Sequence, residues 1–315
     1  MNPRVEFDLK KLENNINQIK KACPDITLIF PVKCCTNKKV LELVSELGLG
    51  FDVSNNNEML LIREYIDGRF ISVSGPLSKY INNNQNNNIH IAINNINDLK
   101  ENYGVRVNFN YNKNFDISHF GTNLEMIDKN VVERIEYVHF HNSDKRTVDK
   151  CNEIIKEVKY IVKKFINLKY LNIGGHLEDL SFKDAITYIN NIRKVVPNNI
   201  KVIAELGDFL FKDCGTLYCK VIDSKIENKC QYVILNFSKM ANQRWSYPVF
   251  NKLNNKDRIK TIFYGCSCCE TDIFLETECN HLNVGDKLEF YNISPYTYQW
   301  NMTFNGVKKM KYIFK

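Results

Sequence analysis

An α/β barrel of the (β/α)8 type, followed by a smaller, mostly antiparallel β domain, is the fold the sequence predicts. Over roughly the first 200 residues short apolar runs alternate with amphipathic stretches about eight times, the rhythm of parallel strands joined by helices. Beyond about Thr216 strand patterns follow one another with no helical pattern between them. The chain has 315 residues, 44% of them hydrophobic, which allows a large buried core and excludes intrinsic disorder or a fibrous repeat.

Leu12, Ile16 and Ile19, with Lys20 and Lys21, have the spacing of an amphipathic helix, and residues 26–32 form the apolar run of a buried strand. Residues 40–47 are helical again, with Gly48 as the natural stop, and 50–53 make the next strand. Further strands are expected at 70–73, 89–93, 105–109, 137–140, 170–173 and 202–205, with the clearest helices at 151–165 and 182–195. The second domain reads as strands at 217–223, 231–236, 259–264, 287–291 and 307–314, with a turn at 283–286. The expected division is therefore a barrel over 1–215 and a β domain over 216–315. The Asn-rich stretch at 82–88 reads as a polar surface loop.

Lys plus Arg is 43 and Asp plus Glu is 36, a net charge of +7, but the basic residues are scattered, so nucleic-acid binding has no support. Eleven cysteines, an odd number that includes the adjacent pairs Cys34/Cys35 and Cys268/Cys269, read as reduced thiols and point to the cytoplasm. The start carries Arg4, Glu6, Asp8, Lys10 and Lys11 with no apolar run behind it, so neither a secretory signal nor a membrane span is expected.

The chemistry sits where strands end. Lys33 closes the strand at 26–32; partial desolvation there would lower its pKa and suit it to Schiff-base chemistry, although a snorkelling surface lysine leaves the same pattern. Asp52 stands at the next strand end, with Glu58 in the following helix start. His141 follows the strand at 137–140, Gly174 and Gly175 form a turn whose N–H groups suit a phosphate, and Glu205 ends the strand at 202–205. In order, these residues describe a barrel mouth with a reactive amine, a ring-nitrogen partner and a phosphate cradle. Cys266, Cys268 and Cys269 have no second Cys or His pair at metal-site spacing, so no metal is expected.

With these residues in view, the chain resembles the fold type III pyridoxal 5′-phosphate decarboxylases of the ornithine, diaminopimelate and carboxynorspermidine group, from the Val5 strand to Asn305. The resemblance implies an alanine racemase-like barrel in which Lys33 carries the cofactor and Asp52 supports the lysine. It also implies that Glu205 pairs with the pyridinium nitrogen, His141 stacks on the ring, and Gly174 and Gly175 bind the phosphate. The run from Gly265 to Asp272 resembles the family's Gly-x-x-Cys-acid-x-x-Asp segment. By that likeness Cys268 reaches into the partner subunit's site and directs protonation, with Cys269, Glu270 and Asp272 toward the substrate. Tyr296, in Ser294-Pro295-Tyr296-Thr297, resembles the tyrosine that meets the cofactor phosphate, and Phe304-Asn305-Gly306 resembles the family's closing motif.

The departures are specific. His176 stands where the family has a third glycine, and Glu205-Leu206-Gly207-Asp208 replaces Glu-Pro-Gly-Arg, so an acid takes the place of a phosphate-neutralising arginine. Carboxynorspermidine decarboxylases share that acid and a segment similar to His139-Phe140-His141. Cys269 occupies the position of the substrate-gripping acid, with Glu270 one residue later, and Tyr247 precedes Pro248 where diaminopimelate enzymes carry an arginine. The resemblance thus implies decarboxylation of an α-amino acid with a polar distal group, by a head-to-tail homodimer with shared active sites. Its rivals are an amino-acid racemase on the same barrel and a non-catalytic regulatory relative, to which the changes at His176, Asp208 and Cys269 would belong. Joint retention of Lys33, His141, Glu205, Cys268 and Tyr296 argues for chemistry.

Overall fold

The computed structural model describes residues 2–81, 88–108, 118–142, 146–250 and 258–315. Most of the expected Asn-rich loop, and Phe109 at the end of one expected strand, lie outside the described residues. The chain begins with β1 (Arg4–Phe7) and α1 (Leu9–Ala22). Then come β2 (Ile26–Pro31), α2 (Lys38–Glu46), β3 (Gly50–Val53), α3 (Asn56–Ile62), β4 (Ile71–Ser74), β5 (Ile89–Ile93) and β6 (Gly104–Asn108). After β7 (Thr122–Asn123) and α4 (Lys129–Val132) follow β8 (Tyr137–Phe140), α5 (Val148–Lys164), β9 (Tyr170–Asn172), α6 (Phe182–Val195) and β10 (Lys201–Glu205).

One compact unit is Ile16–Leu210. Its strands run in the order β5-β4-β3-β2-β10-β9-β8-β6, all parallel, and β5 pairs with β6 to close an eight-stranded barrel, with β7 added beside β6. β3, β4 and β8 are buried along their whole length, as strands covered on both faces must be. On α5 the buried Cys151, Ile154, Val158 and Ile161 recur every three or four residues, and Thr147 caps its start by accepting from Lys150 N–H. Each fully buried aliphatic contributes about 1.5–3 kcal/mol against ~1 kcal/mol for the cap, so packing holds this helix. The eight strands match the expectation, and among the described residues the outer layer includes single 3-10 turns at Ser78–Tyr80 and Ile96–Asp98.

The other unit comprises residues up to Asn15 with Phe211–Lys315. It contains β1, β11 (Gly215–Glu227), β12 (Cys230–Leu235), α7 (Lys239–Asn242), β13 (Arg258–Tyr264), β14 (Ile273–Asn280), β15 (Lys287–Tyr291) and β16 (Lys311–Phe314). The order is β14-β13-β12-β11-β1-β16, with β15 also on β11; the β1–β16 and β12–β13 pairs are parallel and the others antiparallel. Phe263, Phe274 and Phe290 meet edge-on in its core at ring distances of 5.1–5.2 Å. The expected 1–215 barrel is corrected at its start, because Val5 pairs with Leu217 on one side and Tyr312 on the other, which fixes β1 in this second sheet. β14 was not expected: its Leu275-Glu276-Thr277-Glu278 stretch carries charge on two of four positions and masks the strand period.

Candidate active site

Pro31 ends β2 and the chain enters a tight turn, Val32–Cys34, that carries Lys33. Its Nζ donates to Asp52 Oδ2 at 2.8 Å. Asp52 is fully buried on β3, and its other oxygen accepts from Ser72 Oγ at 2.9 Å and Ser74 Oγ at 3.0 Å. The two serines sit two residues apart on β4, where strand alternation points both to one side, and Asp52 is the register partner of Ser72. Ser72 Oγ also lies 3.0 Å from the Tyr137 hydroxyl. Asn172 Nδ2 donates to that hydroxyl at 3.1 Å and to Glu205 Oε1 at 2.8 Å. A buried polar network thus runs from β2 through β3, β4, β8 and β9 to β10.

Around it the charges are sorted. Burial works to lower the Lys33 amine, but Asp52, Glu205 and Glu58 outweigh it and hold the amine above the ordinary lysine value. The expected depression of Lys33 is therefore corrected: the desolvation is there, and three carboxylates overturn its sign. Burial pushes Asp52 up against the pull of Lys33, and pushes Glu58 up although Glu58 accepts Ser54 N–H at 2.7 Å. Burial also works to raise Glu205, yet His139, with Nε2 3.0 Å from Oε1, and then Lys33 and His141 hold it well below the usual carboxylate range. Burial drives His141 down to about 3, so the ring is neutral, and its Nδ1 accepts Gly175 N–H at 3.3 Å. Glu205 Oε2 accepts no hydrogen bond among the described residues.

The glycine turn after β9 is shaped by close approach. Gly174 has φ +65°, and a Cβ there would lie 2.6 Å from Phe140 O; a Cβ on Gly175 would collide with the carbonyl of Glu205. Gly174 N–H donates to Asn172 Oδ1 at 2.9 Å and Gly175 N–H to His141 Nδ1. Both amides are thus engaged inside the barrel unit, and the glycines supply backbone shape.

The remaining candidates belong to the second unit. Asp272 is fully buried: Oδ1 accepts Met240 N–H at 3.1 Å, and Oδ2 accepts Ser267 N–H at 3.2 Å and Ser267 Oγ–H at 2.6 Å. Its carboxylate is spent on the turn, which corrects the expectation that it faces substrate. That turn presents Cys268, exposed, with its N–H donating to Asn305 Oδ1 at 2.9 Å. Cys269 Sγ lies 3.2 Å from Thr271 Oγ1, while Glu270 is exposed. Tyr296 is half-buried and meets Trp245 edge-on at 5.6 Å.

Residues 9–103, which include Lys33 and Asp52, match the model of the pyridoxal-dependent decarboxylase pyridoxal-binding domain. Ornithine decarboxylase 2 of Drosophila melanogaster is 23% identical over 95% of this chain and 88% of its own. These two matches support the expected resemblance to the fold type III pyridoxal phosphate decarboxylases. A second relative, the carboxynorspermidine/carboxyspermidine decarboxylase of Campylobacter jejuni, is 26% identical over 59% of this chain and 53% of that protein. The arginine decarboxylase of Paramecium bursaria Chlorella virus, solved with agmatine, shares the fold at a TM-score of 0.82 with 18% identity, covering 100% of this chain and 96% of that one.

The residues present fit the family's cofactor, pyridoxal 5′-phosphate. An ionised buried carboxylate with an oxygen that accepts no hydrogen bond among the described residues suits a protonated pyridine nitrogen, a neutral imidazole suits the face of an electron-poor ring, and Lys33 offers the amine. Sequence reasoning missed Ser72, Ser74, Tyr137 and Asn172. Polar residues inside otherwise apolar strands were the available signal.

Proposed function

We propose that this protein decarboxylates a basic α-amino acid, one with a distal amine or guanidinium, using pyridoxal 5′-phosphate held by Lys33, Asp52, His141 and Glu205. The observation that carries this reading is Lys33 paired to Asp52 in the same buried network as an ionised Glu205. The bound cofactor supplies an electron sink for the electrons left when carbon dioxide departs. Glu205 keeps a proton on the ring nitrogen because its own carboxyl stays ionised. Asp52 holds the Lys33 amine in place and protonated, so this lysine can store or return a proton near the reacting carbon. Neutral His141 packs without adding a charge that would compete for the substrate carboxylate.

For the substrate's far end, Glu270 is the choice among Cys269, Glu270 and Asp272. It is the exposed carboxylate of the three, since Asp272 is spent on its turn and Cys269 is a thiol beside Thr271. The relatives named for ornithine, carboxynorspermidine and arginine all point to a cationic distal group. Cys268, exposed on the same turn, is the proposed proton donor to the carbanionic carbon, acting in the partner subunit of a homodimer, with Tyr296 toward the phosphate. The test is carbon dioxide release with ornithine, lysine, arginine and carboxynorspermidine against diaminopimelate and neutral amino acids. Turnover of one or more cationic substrates, lost in Lys33→Ala, is expected; release from none, with cofactor bound, would overturn the reading.

A further inference from the structure

Arg146, just before α5, is buried at 2% exposure, and carbonyl oxygens surround its guanidinium. Nη2 donates to Gly175 O at 3.0 Å and to Asn142 O at 3.2 Å, and Nε donates to His176 O at 3.3 Å. The Tyr188 ring lies 5.6 Å from its central carbon. Among the described residues no carboxylate stands within ion-pair distance of this guanidinium, and Nη1 has no hydrogen-bond partner. Asp179 Oδ2 accepts the backbone N–H of Arg146 at 3.0 Å but makes no ion pair with the guanidinium, so among the described residues the buried charge is left available to an anion nearby.

The turn that Arg146 grips offers one. No peptide bond is cis, so the C=O and N–H of each peptide point in opposite directions. Gly175 O and His176 O point at Arg146; the N–H groups of His176 and Leu177 therefore point away from it. Neither N–H has an acceptor among the described residues. Gly174 and His176 both have positive φ, 65° and 64°, the backbone turn in which successive N–H groups gather on one side to bind an anion. The amides of Gly174 and Gly175 themselves are already taken.

We propose that Arg146 is the positioning residue for the cofactor phosphate. By its hold on the Gly175 and His176 carbonyls it aims the His176 and Leu177 N–H groups at the phosphate, and its charge offsets the dianion from behind the turn. Asp208, on the turn after β10, carries the wrong sign for that work. This inference rests on the cofactor reading above and separates from it by experiment.

Equilibrium dialysis measures the affinity of the apoprotein for pyridoxal 5′-phosphate and for pyridoxal, which lacks the phosphate, with wild type, Arg146→Gln and Arg146→Lys. Wild type is expected to prefer the phosphorylated aldehyde by about a hundredfold or more, and Arg146→Gln to lose about tenfold or more of that preference while pyridoxal affinity changes less than about twofold. Arg146→Lys, which keeps charge but loses the planar fork, should fall between. An unchanged preference in Arg146→Gln overturns the proposal; if that variant does not fold, a wild-type preference in Arg146→Lys overturns it. A wild type that binds both aldehydes equally refutes the phosphate site alone, and one that binds neither refutes the cofactor reading and this inference with it.

Discussion

Asn172 donates to Glu205 Oε1 at 2.8 Å while its own Oδ1 accepts Gly174 N–H at 2.9 Å. One side chain thus fixes both the acid expected at the ring nitrogen and the start of the glycine turn. Asn172→Ala should lower stability by about 1.5–3 kcal/mol, since it removes a hydrogen bond to a charged group and leaves a buried N–H unpaired. Denaturant unfolding measures this, and a loss below about 0.5 kcal/mol would mean that the pair is not held as described.

Asp52→Asn removes the largest of the carboxylate effects that hold the Lys33 amine up. The amine's pKa should fall by about one unit or more. The pH dependence of its reaction with added pyridoxal 5′-phosphate reports the shift, and an unmoved profile would show that the 2.8 Å pair does not govern the lysine.

Stability should fall on acidification. His141 has a folded value of about 3 against an ordinary 6.5, so between those values the unfolded chain binds a proton that the folded chain refuses, and stability is lost as pH drops through that window. Glu205, held well below its ordinary 4.5, adds loss in the same direction once pH falls below 4.5. His141→Phe should flatten the limb between pH 6.5 and about 3, where one refused proton is worth up to about 1.4 kcal/mol per pH unit. Thermal unfolding against pH is the check, and an equally steep limb in the variant would contradict it.

Asp272 and Glu270 should separate cleanly. Asp272→Ala leaves Met240 and Ser267 N–H groups without their acceptor and should cost about 2–4 kcal/mol of stability. Glu270→Gln, at an exposed position, should leave stability within about 0.5 kcal/mol and raise KM for a cationic substrate by about tenfold. A KM unchanged in Glu270→Gln would move the distal contact elsewhere.

Lys33, Asp52, His141 and Glu205 were legible because the two-residue period of a strand and the direction of a barrel place the last residues of each strand at one end. The eight barrel strands were legible for the same reason. The partners Ser72, Tyr137 and Asn172 were not, because a polar residue inside an apolar run carries no mark of which other strand it meets across the barrel. The sign of the Lys33 shift was hidden likewise, since the three carboxylates that set it come from other segments of the chain. β1 was assigned to the wrong sheet because four residues reveal a strand and not its neighbours. Asp272 looked like a substrate contact until its two oxygens were found facing the amides of its own unit.

The most direct test of the central claim is borohydride reduction of the protein incubated with pyridoxal 5′-phosphate, followed by peptide mass mapping. The expected result is a visible absorbance band that reduction abolishes, with the cofactor fixed covalently on Lys33 and on no other lysine. No band with excess cofactor, or a label on a different lysine with Lys33 unmodified, would contradict it.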